Sequence, residues 1–462
     1  MKFDRASSKV ERRKQGKALR EKCPRTSQAE WKPRSKSLDI IKLLEESDAD
    51  RIPGLIPVKY QRMSESPFKF FRGAAIIQAR DLAHARVSGI NVQTCGDCHL
   101  ANFGGFGSPE RTLIFDINDF DETFPGPWEW DVKRLGASLT LAARDRSFSK
   151  SNADEAVRAA AASYRKRMAE FADMKVLDTW YAQVTIDAVR EYFRKDLDAL
   201  ARLSKKQKQA RSRTSEAVAL KLTAVVDGRR TIKDEPPVLY HFQQNVQNWE
   251  KGNRNHIGQY RKSLQADRLE LLERYTYQDA AVKVVGVGSV GTRCYVALFL
   301  ADEDDPLFLQ IKEARRSVLE SPRGKSRFAH QGFRVVAGQR LMQAASDIFL
   351  GWFRSTYGHD YYVRQFRDMK VSAEIETFRP STLVAYASLC GWTLARAHAK
   401  AGDAAMIAGY LGSKDQFDDA LLQYSQAYAD QAELDFKTFQ KAIHSGRLTT
   451  EPAKNNDLEF LL

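Results

Sequence analysis

Cys95-Gly96-Asp97-Cys98-His99-Leu100-Ala101-Asn102-Phe103-Gly104 is the stretch on which the reading of this chain turns. As C-x-x-C-H it has the spacing that attaches a c-type haem. As G-D-x-H-x-x-N it sets a carboxylate, Asp97, five residues before an amide, Asn102. In phosphoryl transfer one such group orients an acceptor hydroxyl and the other holds a metal.

The flanking chain favours the second reading. Haem attachment of this type belongs to compartments reached by export, and the amino terminus, Met1-Lys2-Phe3-Asp4-Arg5, lacks the apolar core of a signal peptide. No apolar run approaches the roughly 18 residues that would span a bilayer. A cytoplasmic protein with no membrane partner is expected. Five cysteines form an odd, sparse set that implies no disulfide framework. A Cys95–Cys98 redox pair is a minor alternative, since such pairs usually open a helix and Gly96-Asp97 reads as a loop. Two thiols and an imidazole within five residues, with no second ligand pair elsewhere, do not make a usual zinc spacing. His99 is therefore read as a structural residue of the loop.

At 462 residues the chain is long enough for two or three lobes, and its apolar and charged fractions, 43% and 29%, are those of a globular protein. The net charge of +14 is concentrated in residues 1–36, with 13 Lys or Arg against 4 Asp or Glu. This reads as a basic flexible arm rather than a specific nucleic-acid site. A second basic cluster, Lys205 to Arg213, reads as a solvated helix or linker.

Helical spacing covers 38–48 and 72–87, and runs throughout from Trp130 to about Leu200. Val92–Thr94 reads as a strand entering the loop. Thr112–Asn118 reads as another, ending in Asp119-Phe120-Asp121-Glu122. A second acid after the loop, at a strand end, is what magnesium needs against a triphosphate, and Asp119 satisfies that order. Asp116 and Asp121 are nearby competitors, with Asp116 turned by strand alternation to a different face from Asp119.

Near residue 280 the period changes. Ala281–Val285, Arg293–Leu300 and Leu307–Lys312 read as strands, a helix follows from about 332 to 345, and two further strands lie at 348–353 and 361–366. The carboxy-terminal stretches 382–401 and 416–443 are helical. Between the first two of these strands stands Gly286-Val287-Gly288-Ser289-Val290-Gly291. This G-x-G-x-x-G is followed by a strand, not by the helix a dinucleotide site requires. A hairpin with a glycine tip is the arrangement that covers nucleotide phosphates in protein kinases. Lys312, at the end of an apolar strand, needs an anionic partner, and phosphate oxygens would serve.

Several motifs carry a family resemblance. Ser66-Pro-Phe-Lys-Phe-Phe-Arg-Gly73, the loop from Gly96 to Gly104, Phe115 to Glu122, Gly126 to Leu135, Val287 to Arg293 and Cys390 to Ala399 resemble the bacterial family known as domain of unknown function 2252. The resemblance covers nearly the whole chain after the basic arm and implies membership rather than an activity. More distantly, the same motifs resemble aminoglycoside-phosphotransferase and protein-kinase-like enzymes. There, a helix like Leu394-Ala-Arg-Ala-His398 precedes the catalytic loop, and a pair like Trp130-Asp131 follows the metal-binding acid. The order here is reversed, with the loop near 97 and the glycine turn and lysine near 286 and 312.

These readings make an α+β, protein-kinase-like two-lobe fold, circularly permuted. After the arm, residues 37–275 form a helical lobe with the catalytic loop, 276–370 a β-rich nucleotide lobe, and 371–462 helices returning to the first lobe. The expected function is an ATP- and magnesium-dependent phosphotransferase of unspecified acceptor, with AMP transfer or an ATP-binding pseudoenzyme as alternatives. Asp97 is the expected catalytic residue, Asn102 and Asp119 the metal ligands, and Gly286, Gly288, Ser289, Gly291 and Lys312 the nucleotide contacts. Two departures from the kinase pattern stand out. Cys95 occupies the usual histidine position, and no Glu occurs from Ser321 to Ala373 to position Lys312, leaving Gln339 or Glu320 as its expected partner.

Overall fold

The structure is a computed structural model that describes residues 7–34, 38–194, 196–211, 215–236, 238–241, 246–284, 288, 290–303, 305–366 and 369–451. It is a mixed α+β protein with antiparallel sheets. The strands, in chain order, are β1 (Asn91–Thr94), β2 (Phe103–Gly107), β3 (Leu113–Ile117), β4 (Phe124–Pro127), β5 (Val184–Thr185), β6 (Thr223–Val226), β7 (Arg229–Ile232), β8 (Leu239–Tyr240), β9 (Thr276–Lys283), β10 (Cys294–Leu300), β11 (Pro306–Glu313), β12 (Gly351–Arg354), β13 (Asp360–Gln365) and β14 (Val371–Ser372).

The largest sheet has six strands in the order β12-β13-β11-β10-β9-β8. Its middle is a meander in which Cys294 faces Lys312 across β10 and β11. Both faces are covered, which is why β10 and β11 read as nearly unbroken apolar runs. Ala297, Phe299, Leu307 and Leu309 pack under Tyr260, Leu272 and Phe349 on one face. Val296, Leu298 and Phe308 pack with Val218, Ala219 and Leu222 on the other. β9 begins at Thr276, upstream of the expected start at Ala281; its first residues, Thr276 to Asp279, contain no apolar run to mark a strand. The sheet also takes in β8, from before residue 276.

A four-stranded sheet, β14-β2-β3-β5, and the pair β1-β4 carry the loop from Cys95 and the strand before Asp119. Behind them lie the helices Trp128–Asp145, Lys150–Asp173, Pro380–Ala401 and Gln416–His444. Gly391 permits a close approach of two of these, since a Cβ there would lie 2.2 Å from the carbonyl oxygen of Ala160. The helical run expected from Trp130 to Leu200 is broken. Ser147 turns to φ 53°, and Ser149 then caps a new helix by accepting from the Asn152 amide. Residues 72–87 likewise do not form one helix, because Ala74 (φ −123°, ψ 40°) separates Pro67–Gly73 from Ala75–Leu82. No helix among the described residues is long and apolar enough to cross a membrane.

Where it is described, the basic arm is folded onto the rest of the chain. Lys9–Ala18 is a helix with a capping box between Ser8 and Glu11. It lies against Ala404–Leu411, tied by an Arg12–Asp403 ion pair of 2.8 Å. Arg20 and Arg25 donate to the carbonyls of Gly409, Tyr410 and Leu411, which a helix end leaves unpaired. Composition read these cations as part of a flexible arm, whereas they cap another helix. The seam is tight: a Cβ on Gly16 would lie 2.0 Å from the Met406 carbonyl oxygen. Gly16→Ala should force the helices apart and destabilise the protein by about 1–3 kcal/mol. Urea denaturation reads the loss, and early tryptic cleavage within residues 9–22 should accompany it.

Candidate functional site

The loop after β1 is held from behind by one buried carboxylate. Asp131, in the first turn of Trp128–Asp145, accepts hydrogen bonds from the amides of Cys95 (2.8 Å) and Gly96 (3.0 Å). His398 Nε2 lies 3.1 Å from the same carboxylate, and His398 Nδ1 lies 2.8 Å from the Tyr164 hydroxyl. Only glycine fits at position 96, where φ is +84° and a Cβ would lie 2.1 Å from the Glu122 carbonyl oxygen. Cys95, Cys98 and Asp131 bring their ligand atoms within 4.8 Å of one another. The carboxylate, however, is engaged by the loop amides, and burial pushes Cys98 up to about 11 and Cys95 well above the usual thiol range. All three groups are buried behind the loop, where the Asp131 carboxylate serves its backbone amides.

In front of that anchor stand the residues read from the sequence. Asp97 Oδ1 accepts from Arg134 Nε, and Arg134 also donates to Gln78 Oε1 (2.9 Å) and to the Phe71 carbonyl (3.0 Å). Asn102 donates its amide nitrogen to the Asp97 carbonyl at 2.7 Å, which leaves its oxygen on the other branch of the amide. His99, fully buried, has its Nε2 3.8 Å from Asp97 Oδ2.

The segment carrying Asp119 is clasped by the large sheet. Arg334, on the helix Gln331–Met342, donates to the carbonyls of Asp121 (2.8 Å) and Thr123 (2.7 Å). Ser317 and Val318 bind Glu122, and Arg364 donates to the Asn118 carbonyl. This clasp brings Lys312 to the acids. Its Nζ pairs with Asp121 and lies 3.7 Å from Asp119, while Tyr362 donates to Asp121 Oδ1 at 2.7 Å. Burial alone would push the ammonium down, but Asp119 and Asp121 outweigh it and hold Lys312 well above its ordinary value.

The lysine partner is therefore Asp121, and neither expected alternative takes that place. Gln339 donates to Gln343 Oε1 at 2.9 Å, and Glu320 accepts from Gln331 at 3.1 Å. The signal was present in the sequence, since Asp121 lies two residues beyond Asp119. Spacing could not show that a lysine 191 residues downstream would meet it. Asp116 is a different kind of group, fully buried against Arg396 at 2.7 Å.

Gly286 and Ser289 lie outside the described residues. Gly288 and Gly291 are pinned from the other half of the chain. Arg51 donates to the carbonyls of Val290 (2.6 Å) and Gly288 (3.0 Å), and the Ile52 amide donates to the Gly291 carbonyl at 2.8 Å. Arg51 carried no sequence signal, because its role exists only once the halves are docked.

Asp97, Asn102, Asp119, Gly288, Lys312 and Gln339 all line one cavity of about 1080 Å³, whereas Gly291 and Glu320 lie outside its wall. That is at or above the upper end of a small-ligand site, so it can hold more than one ligand group. Among the described residues, ten lysines or arginines line it against six aspartates or glutamates, an excess that favours an anionic occupant.

Fold and site thus define a mixed α+β protein with a large cationic cleft assembled from both halves of its chain. It belongs to the bacterial family described as "Uncharacterized protein conserved in bacteria (DUF2252)", whose model matches residues 51–442. No curated protein and no solved structure matches it.

Proposed function

We propose that this protein is an ATP- and magnesium-dependent phosphotransferase built on a circularly permuted, kinase-like two-lobe arrangement. The observation that carries the reading is the convergence of Asp97, Asn102 and Asp119 with Lys312, nearly two hundred residues later, on one cationic cavity. The order of parts in the sheet supports it. The glycine turn joins β9 to β10, and the lysine stands on β11, the next strand of the meander, as in protein kinases.

The donor set fits magnesium. Asp119 and Asn102 offer oxygens, which suit a hard cation, and Asp119 keeps about a third of its side-chain surface exposed. When bound, the ion would neutralise charge on the β- and γ-phosphates. Lys312 contacts the α/β-phosphates, its charge balanced by Asp119 and Asp121 until a triphosphate enters. Asp121 also supplies the anion that a helix glutamate supplies in kinases, so the missing glutamate does not disable the lysine. Asp97 orients the acceptor hydroxyl and takes its proton. Rate enhancement comes from positioning and from charges fixed in advance.

Thermal unfolding with ATP, with and without magnesium, tests binding. At a hundred times the dissociation constant, ATP should stabilise the protein by about 2.7 kcal/mol. Asp119→Asn should keep part of that shift and lose the magnesium-dependent part. With labelled ATP, the γ-label should leave the nucleotide and the α-label should stay in ADP. Transfer of the α-label would make it a nucleotidyl transferase, and binding without turnover would make it a pseudoenzyme. If ATP and magnesium leave the unfolding temperature unchanged, the reading fails.

A further inference from the structure

The cleft holds a cation that the fold itself does not use. Arg72 stands in the last turn of Pro67–Gly73, a helix anchored by the buried Phe68, Phe70 and Phe71. Its guanidinium lies 5.7 Å from the centre of the Phe68 ring and lines the cavity. It has no hydrogen-bond or ion-pair partner among the described residues, and its Nε is buried without one. Neighbouring arginines differ: Arg134 binds Asp97, Arg51 holds the glycine turn, and Arg315 pairs with Asp50. His99 Nδ1, also on the cavity wall, is likewise buried and unpartnered. A buried polar group left unsatisfied costs about 1–3 kcal/mol, more when charged, and Arg72 Nε, Arg315 Nε and His99 Nδ1, all unpartnered on one cavity, mark a place shaped for an absent anion.

The position of Arg72 specifies which anion. A Cβ on Gly288 would lie 3.5 Å from the Arg72 carbonyl oxygen, so the residue sits against the glycine turn. Burial pushes its guanidinium pKa down, and Asp97 is the first of the carboxylates that oppose this. Arg72 thus has its backbone against the glycine turn and shares the cavity wall with Asp97, the two parts that would face the phosphates and the acceptor.

We propose that Arg72 is a catalytic residue whose guanidinium binds the oxygens of the phosphoryl group during its transfer. This inference rests on the phosphotransferase reading. In the step, the bond between the γ-phosphorus and its bridging oxygen breaks and its electron pair leaves on ADP. A bond forms to the acceptor oxygen, whose proton passes to Asp97. Charge spreads over the three remaining phosphoryl oxygens, and a planar guanidinium meets two of them at once. Arginines in this role are worth roughly 10³–10⁵ in turnover.

ADP with magnesium, with and without aluminium fluoride as a mimic of the group in flight, separates this role from a structural one. In the wild type, aluminium fluoride should raise the unfolding temperature beyond the ADP-magnesium value. Arg72→Ala should bind ADP-magnesium like the wild type and lose the fluoride increment, and Arg72→Lys should keep part of it. With water as acceptor, ATP turnover by Arg72→Ala should fall by roughly 10³ while KM for ATP changes little. An Arg72→Ala variant that keeps the fluoride increment, or turns over normally, overturns the inference, as does a wild type on which fluoride adds nothing to ADP-magnesium. A wild type that binds no ADP-magnesium overturns the phosphotransferase reading and this inference with it.

Discussion

Asp97→Asn is expected to lower ATP turnover by about 10²–10⁴, the range associated with loss of a positioned general base. The substitution is chosen for what it keeps. Asparagine retains an oxygen to accept from Arg134 Nε, so the buried guanidinium beneath the loop stays paired. The backbone carbonyl that receives the Asn102 amide is unchanged, as is the Asp131 anchor beneath Cys95 and Gly96. Only the charge and the basic site are lost. On the proposed phosphotransferase reading, binding of ATP and magnesium is assigned to Lys312, Asp119 and the glycine turn and should therefore persist in Asp97→Asn. Single-turnover measurements with γ-labelled ATP give the chemical rate directly. A wild-type rate would remove Asp97 from the mechanism whatever else the cleft does.

The largest effect on stability is expected at Asp116. Its carboxylate is completely buried against Arg396, at 2.7 and 2.9 Å, and also accepts from the Ala344 amide at 2.8 Å. Arg396 in turn donates to the Met342 carbonyl. One carboxylate thus ties β3 to the helix Pro380–Ala401 and to the end of Gln331–Met342. Asp116→Ala leaves a buried guanidinium uncompensated and should cost about 3–5 kcal/mol in urea denaturation. The double variant Asp116→Ala with Arg396→Met should recover much of that loss, because it removes the stranded charge. A single variant within about 1 kcal/mol of the wild type would show that the pair does not hold the junction. Because Asp119 follows three residues later, turnover should fall with this variant even below its unfolding temperature.

Asp97, Asn102, Asp119 and Lys312 were legible because their chemistry and local period are written in adjacent residues: an acid and an amide five apart, an acid after an apolar strand, a lysine inside an apolar run. The meander was legible for the same reason, with both faces of β10 and β11 buried. Arginines were not. Arg51, Arg72, Arg134 and Arg334 look alike in sequence, yet one pins the glycine turn, one faces the cleft unpartnered, one holds Asp97 and one clasps the acid segment. A long side chain takes its role from whatever lies within reach of its tip, and that is set only by folding. The basic arm misled in the same way, since charge composition cannot distinguish a solvated cation from one that caps a helix carbonyl.

The chain by itself determined the kinds of groups in the cleft and the elements that carry them, because strand and helix periods and turn glycines are local properties. Their meeting belongs to the tertiary structure. The loop from Cys95 to Gly104 holds Asp97, but its orientation comes from Asp131 behind it and Arg134 beside it, and Lys312 arrives on a sheet formed far downstream. Long-range ion pairs such as Lys312–Asp121 and Arg396–Asp116 depend on distance in space rather than along the chain. The wide separation of these parts along the chain therefore left the assembly of the cleft to be decided by packing.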